Sequence, residues 1–431
     1  MTSPVVGFAG MTHLGLVSAS AAAARGFELV CYDPDHALIQ RLAKQDMPIL
    51  EPGLNELIHG NGARQRFTSA RRDLEACDIV YVAPDVPTDE EGRSDVSGLT
   101  ALIRDVSAAM DPRAVMVVLS QVPPGYTRAL GAWPLERLYY QVETLVFGQA
   151  VERALKPERI IVGCCEPAAA LEARFRTVLD AFGCPILPMR YESAELAKIS
   201  INCCLVGSVT VANTLAEVCE KVGADWSEIV PALKLDRRIG AYAYIAPGLG
   251  IAGGNLERDL ATVQRLSEAH GTEAGLMAAW RRNSRYRRDW PLRQLHERIM
   301  SRINEPVIAI LGVTYKENTH SIKNSPSVAT IAQLKGARVQ AHDPSVQDSA
   351  LGQLKIERFS DPLRAAQDAD ALMILTPWPE YRDIRPEDVA RVLAGRIVID
   401  PYSILEQKGA ERSKLIHYTL GRPVTQQPQN R

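Results

Sequence analysis

A chain of 431 residues exceeds what one compact core holds, so two or three domains are expected. Hydrophobic residues at 46% and charged residues at 23% are ordinary for a globular protein. A net charge of -2 gives no reason to expect a nucleic-acid or membrane surface, and no apolar run approaches ~18 residues, so no transmembrane helix is expected.

The N-terminus, Met-Thr-Ser-Pro-Val-Val-Gly, has no basic stretch and enters a strand at once. That is not the pattern of a secretory signal, so a cytoplasmic protein is expected. Val5–Ala9 is a short apolar run followed by Gly10, and a helix of small residues is expected over Leu14–Arg25. Phe27–Asp33 reads as a second strand ending in an acid, which completes a βαβ unit. The turn Gly10-Met11-Thr12-His13-Leu14-Gly15 is a dinucleotide fingerprint with threonine at the middle glycine position. Its expected cofactor-binding residues are Gly10, Thr12, His13, Leu14, Gly15 and Asp33, together with Gln121 further on. Helix N-terminal N–H groups suit a diphosphate, and an acid at position 33 suits a ribose diol while repelling a 2′-phosphate, so NAD is favoured over NADP. A Rossmann-like domain without cofactor is the other reading of this imperfect fingerprint.

Cys77–Pro84 is a further apolar strand. Ser193–Lys221 has helical periodicity and no proline, so one long helix is expected there, spacing two domains and offering a dimer surface. The charged stretch Trp280–Arg288 leads into a second series. In it Val307–Gly312, a helix near Ser325–Leu334, Ala337–Asp343 and Asp370–Pro377 echo the first half. The fold class expected is therefore α/β, with two doubly wound Rossmann-like domains joined by a long central helix. The expected divisions are 1–192 (NAD-binding), 193–290 (central helical, dimer-forming), 300–418 (second Rossmann-like domain) and 419–431. The polar segment Gly421–Arg431 is expected to fray. The eight cysteines lie mostly in apolar stretches without zinc-like spacing and are expected to be reduced, buried thiols; no metal site is expected.

Gly248-Leu-Gly250-Ile-Ala-Gly-Gly-Asn255-Leu-Glu-Arg258-Asp259 resembles the glycine loop of the UDP-glucose/GDP-mannose (nucleotide-sugar 6-) dehydrogenase family. Similar pieces follow in the family's order over about residues 4–415. They include Pro48–Leu54, Ser120–Gly125, Leu155–Gly163, Glu195–Asn202, Arg238–Gly240, Gly312–Thr319 and Thr376–Tyr381. The resemblance implies an NAD-dependent oxidoreductase acting on a nucleotide sugar, most simply a UDP-sugar, and working as a homodimer. It also implies that Asn255 stands where the family has its nucleophilic cysteine, and an amide cannot attack as a thiolate does.

By the same resemblance, Lys198 and Asn202 hold the oxygen that gains charge as hydride leaves. Glu143 and Asp259 become candidate bases or water-ordering groups. Arg238, Tyr242, Gly250, Lys316 and Lys323 become the substrate contacts. Gln121, Phe147, Lys323 and Tyr402 replace a family threonine, glutamate, arginine and arginine, and His320 and Ser321 replace two residues beside Lys323. The plain alternatives are a solvated Lys198, a solvated loop carboxylate at Glu143, and an Asp259 that pairs with Arg258 or caps a helix. Three functions then stand open. One is removal of a single hydride, ending at an aldehyde, its hydrate or a ketone. Another is full oxidation to a uronic acid by a non-covalent route. The third is a non-catalytic protein that binds nucleotide sugar or cofactor.

Overall fold

The computed structural model describes residues 3–89, 92–352, 354–405 and 413–423. They form two compact units, 1–201 and 202–431. In the first, β1 (Val6–Ala9), β2 (Leu29–Tyr32), β3 (Gln65–Thr68), β4 (Ile79–Val82), β5 (Val115–Val118), β6 (Leu138–Gln141), β7 (Ile160–Cys164) and β8 (Ile186–Arg190) make one sheet in the order β3-β2-β1-β4-β5-β6-β7-β8. The pairs are parallel except β6 with β7. The second unit carries β9 (Val307–Leu311), β10 (Arg338–His342), β11 (Glu357–Arg358), β12 (Ala371–Ile374), β13 (Ile397–Ile399) and β14 (Ile416–Tyr418). Their order is β11-β10-β9-β12-β13-β14, and all pairs are parallel. Both sheets reverse direction of winding beside their first strand, between β1 and β4 and between β9 and β12, which is where such sheets bind ligands.

The strands form where the apolar runs predict them. β1, β2, β4, β5, β9 and β12 are buried on both faces or nearly so, because helices cover both sides of a parallel sheet. One turn is built twice. Gly10 (φ +93°) follows β1 and donates to Tyr32 O at 2.9 Å; Gly312 (φ +90°) follows β9 and donates to His342 O at 2.8 Å. A Cβ on Gly10 would lie 2.7 Å from Pro84 N, and one on Gly312 would lie 2.4 Å from Thr376 Cβ. Both turns therefore require glycine for conformation and for space. Gly15 is equally constrained: a Cβ there would lie 1.9 Å from Gly10 O, so the helix His13–Ala24 rests directly on the turn.

The long helix runs Tyr191–Val222, two residues further back and one further on than expected. By length and composition it is apolar enough to cross a membrane, which corrects the expectation that no segment qualifies. The charges and amides scattered along it kept the apolar stretch from standing out. Several of these groups are committed to protein partners, namely Glu195, Lys198, Asn202, Asn213, Glu217 and Glu220. In the second unit Ala212, Ala216 and Cys219 pack on Trp226 and Ile245. Val211, Leu215, Val218 and Val222 form a stripe on the helix that is 45–68% exposed.

The described cysteines are all free, as expected, but not all buried. Cys204 is exposed, and Cys165, Cys184 and Cys203 are half-buried. The start of the last segment is also not frayed. Gly421 N donates to Glu220 Oε1 at 3.0 Å, Trp226 N donates to Gly421 O at 2.8 Å, and Arg422 pairs with Asp225 at 3.0 Å. These backbone groups lie against the long helix and the helix that follows, where they need partners. The rest of that segment lies outside the described residues.

Gly10→Ala and Gly312→Ala should each destabilise their own unit by roughly 2 kcal/mol or more, through strained φ and backbone overlap. Urea denaturation followed by the fluorescence of Trp133 for the first unit and of the four later tryptophans for the second should separate the two effects.

Candidate active site

At the cofactor end of the first unit, Asp33 is buried and spans the turn. Its Oδ2 accepts Met11 N at 2.7 Å and its Oδ1 accepts Asp35 N at 2.9 Å. Each carboxylate oxygen accepts about two hydrogen bonds, so Asp33 keeps capacity for a ribose diol. Thr12 precedes the helix and turns its hydroxyl toward the strand: Asp85 N donates to Thr12 Oγ1 at 2.8 Å. Asp85 Oδ2 accepts His13 N at 3.1 Å. His13 Nε2 lies 2.8 Å from Glu51 Oε2, both groups being buried. Glu51 also accepts Gly148 N at 3.0 Å and Ala150 N at 2.8 Å, and this brings Phe147 onto the His13 ring with centroids 4.1 Å apart. The residue that replaces a family glutamate thus stacks on His13 at the start of the first helix.

The first unit also brings together two of the expected catalytic residues. Lys198 Nζ lies 3.4 Å from Glu143 Oε2, with the two side chains 12% and 17% exposed. Neither is a solvated surface charge. Leu145 N donates to the other Glu143 oxygen, which fixes the loop after β6. Three residues before Lys198, the buried Glu195 accepts Gly125 N at 2.5 Å and Thr127 N at 2.8 Å. Burial pushes the Glu195 carboxyl up, against the pull of those hydrogen bonds. This clamp holds the loop that carries Gln121, and Ser120 Oγ donates to Pro84 O at 2.5 Å from the same loop.

In the second unit, Asn202 Nδ2 donates to Asp259 Oδ2 at 2.5 Å, and Arg258 Nε donates to Asp259 Oδ1 at 3.1 Å. All three are buried, so the pairing of Asp259 with Arg258 is realised together with its link to Asn202. Asn255 is the first residue of the helix Asn255–His270, and it is exposed. Cys203, next to Asn202, is pushed up to about 11, chiefly by burial and then by the Asp259 charge; at neutral pH it is a thiol and a poor nucleophile.

Lys323 lies over the start of this helix, where a Cβ on Gly254 would stand 3.3 Å from its Nζ. Asn324 Nδ2 donates to Gly253 O at 2.6 Å. Tyr315 packs on Gly253, and Lys316 Nζ sits 5.8 Å from the Tyr315 ring. Gly250 (φ +78°) is a packing glycine, since a Cβ would lie 2.4 Å from Ser284 O. Burial raises the Tyr402 hydroxyl, which reaches the Leu249 backbone. Arg238 stands apart: it is 89% exposed and paired with Asp236 at 2.6 Å. Tyr242 is fully exposed.

Three profiles of one family match in succession along the chain. They are the UDP-glucose/GDP-mannose dehydrogenase family NAD binding domain over 5–182, its central domain over 192–285 and its UDP binding domain over 309–407. The chain belongs to this family. It is 28% identical over 430 residues to UDP-glucose 6-dehydrogenase TuaD of Bacillus subtilis (strain 168), covering 96% of this chain and 92% of that protein. It is likewise 28% identical over 435 residues to UDP-glucose 6-dehydrogenase of Rhizobium meliloti (strain 1021), covering 96% and 98%. Among solved structures, a UDP-glucose dehydrogenase from the hyperthermophilic archaeon Pyrobaculum islandicum superposes with a TM-score of 0.85 at 26% identity, covering 98% of each chain. The NAD-binding domain and the UDP-binding domain are therefore the first and last parts of a dehydrogenase family fold.

Glu51, Asp85 and Glu195 were not singled out from the sequence. Glu51 and Glu195 lie inside the family-like stretches Pro48–Leu54 and Glu195–Asn202, and Asp85 directly follows the strand ending at Pro84. An acid just past a strand at the point where the sheet reverses is the signal that marks Asp85. Glu195→Ala should cost about 2–3 kcal/mol, because it removes the acceptor of two backbone amides at least partly withdrawn from solvent. Hydrogen exchange at Gly125 and Thr127 should rise faster than the global denaturation midpoint falls; unchanged exchange there would contradict the clamp.

Proposed function

We propose that this chain is an NAD-dependent nucleotide-sugar oxidoreductase that removes one hydride from a UDP-sugar alcohol and stops before a thioester. The observation that carries this reading is the half-buried ion pair of Lys198 with Glu143. A lysine held by a carboxylate is a preorganised cation for an oxygen that gains charge. Bound NAD would supply the hydride acceptor; Glu143, or water beside it, would take the hydroxyl proton, and Lys198 would stabilise the alkoxide character of the transition state. Asn202, fixed by Asp259, supplies an amide of defined direction. Asn255 offers no thiolate, so no sugar becomes attached there.

The nucleotide end is assigned to the second Rossmann-like unit, with Lys316 and Lys323 as its cations. Arg238 and Tyr242 are read as reaching the site of a second copy, which accounts for their exposure in one chain. The exposed stripe Val211, Leu215, Val218 and Val222 supports a homodimer packed on the long helix rather than a membrane span. A cytoplasmic location accords with this reading.

Counting NADH per UDP-sugar consumed separates the alternatives. The expected ratio is one, with a product that a hydrazine traps. A ratio of two indicates full oxidation by a non-covalent route, and none indicates a binding protein. Lys198→Ala should lower kcat by about 10³-fold or more while leaving UDP-sugar affinity within a few fold. Asp33→Ala should narrow the preference for NAD over NADP. Light scattering should return twice the chain mass.

A further inference from the structure

The inference rests on the first unit acting as a dinucleotide-binding domain. The N–H groups opening the helix His13–Ala24 are where a diphosphate is held. In this chain one of them already has an anion: the Asp85 carboxylate accepts His13 N at 3.1 Å. Three further contacts place it there. Asp85 N donates to Thr12 Oγ1 at 2.8 Å, and Thr12 Oγ1 donates to Ala83 O at 3.4 Å. Pro84, just before Asp85, abuts the Gly10 turn. The threonine in the middle of the fingerprint therefore ties down the residue that covers the helix start. Asp85 itself is exposed, so its side chain can rotate away without uncovering a core.

We propose that Asp85 sets the affinity for the dinucleotide, competing as a built-in anion with the diphosphate for the His13 N–H and held in place by Thr12. A diphosphate enters after the carboxylate swings aside, and it then meets a like charge at short range. The groups on either end of the diphosphate, adenosine and nicotinamide riboside, do not compete for this N–H.

Calorimetry on the full chain with NAD and with ADP-ribose, and ligand-detected NMR titration with adenosine, would test this in the unaltered protein and in Asp85→Asn and Asp85→Ser. Both variants should bind NAD and ADP-ribose about tenfold more tightly, because a like charge is removed from the anion site, with adenosine affinity unchanged. Equal or weaker NAD and ADP-ribose binding in both variants, with the unaltered protein binding normally, overturns the role of Asp85 and leaves the cofactor assignment standing. A gain that adenosine shares overturns it too, since the effect would then not act through the diphosphate. Failure of every form to bind NAD or ADP-ribose overturns both.

Discussion

Carboxylates that accept backbone amides at the ends of parallel strands hold the working parts of this protein in place. A parallel sheet delivers its loops to one edge, and those loops carry N–H groups that the sheet does not satisfy. Asp33 takes Met11 N, Glu51 takes Gly148 N and Ala150 N, and Glu195 takes Gly125 N and Thr127 N. Asp343 repeats the device in the second unit, accepting Val313 N, Thr314 N, Ser345 N and Val346 N. Each carboxylate joins segments far apart in sequence or closes a tight turn, and the side chains argued to do chemistry sit on those same segments. The stabilisation per hydrogen bond is ordinary, but leaving a buried amide without its acceptor is costly, so these loops have few alternative arrangements.

That arrangement explains why the candidate catalytic residues are preorganised. Glu143 is held by Leu145 N and faces Lys198, and Glu195 anchors the same helix turn that presents Lys198. In the second unit Asp259 has opposed partners in Arg258 and Asn202, so the Asn202 amide has one orientation. An enzyme gains from such groups because little reorganisation remains for the moment of reaction. The same geometry makes Asp259 a weaker candidate for a free base than its sequence position suggests, since both oxygens carry donors.

The two Rossmann-like units were legible because buried parallel strands are continuous apolar runs closed by glycine, as at Val5–Gly10 and Val307–Gly312. The antiparallel step between β6 and β7 was not, because strand direction leaves no mark on runs as short as Leu138–Gln141. Lys198, Asn202, Glu143 and Asp259 were found through resemblance, and each has a partner: Asn202 and Asp259 are buried, Lys198 and Glu143 half-buried. Thr12 was read only as a departure from the middle glycine of the fingerprint. Its hydroxyl instead bonds to the β4 end, a contact across more than seventy residues that no local pattern reveals. Arg238 and Tyr242 resist assignment from one chain, since exposure in a monomer and burial in an assembly look alike from sequence.

Glu220 ties the second unit into an order of assembly. Its carboxylate receives Arg287, the Trp290 indole N–H and the Gly421 amide, and the Gly421 carbonyl in turn receives Trp226 N. During synthesis Glu220 and Trp226 leave the ribosome some two hundred residues before Gly421 does. The contacts that close the first unit lie within residues 1–201 and are complete far earlier. A nascent chain can therefore settle its cofactor half while the nucleotide half still waits on the end of translation.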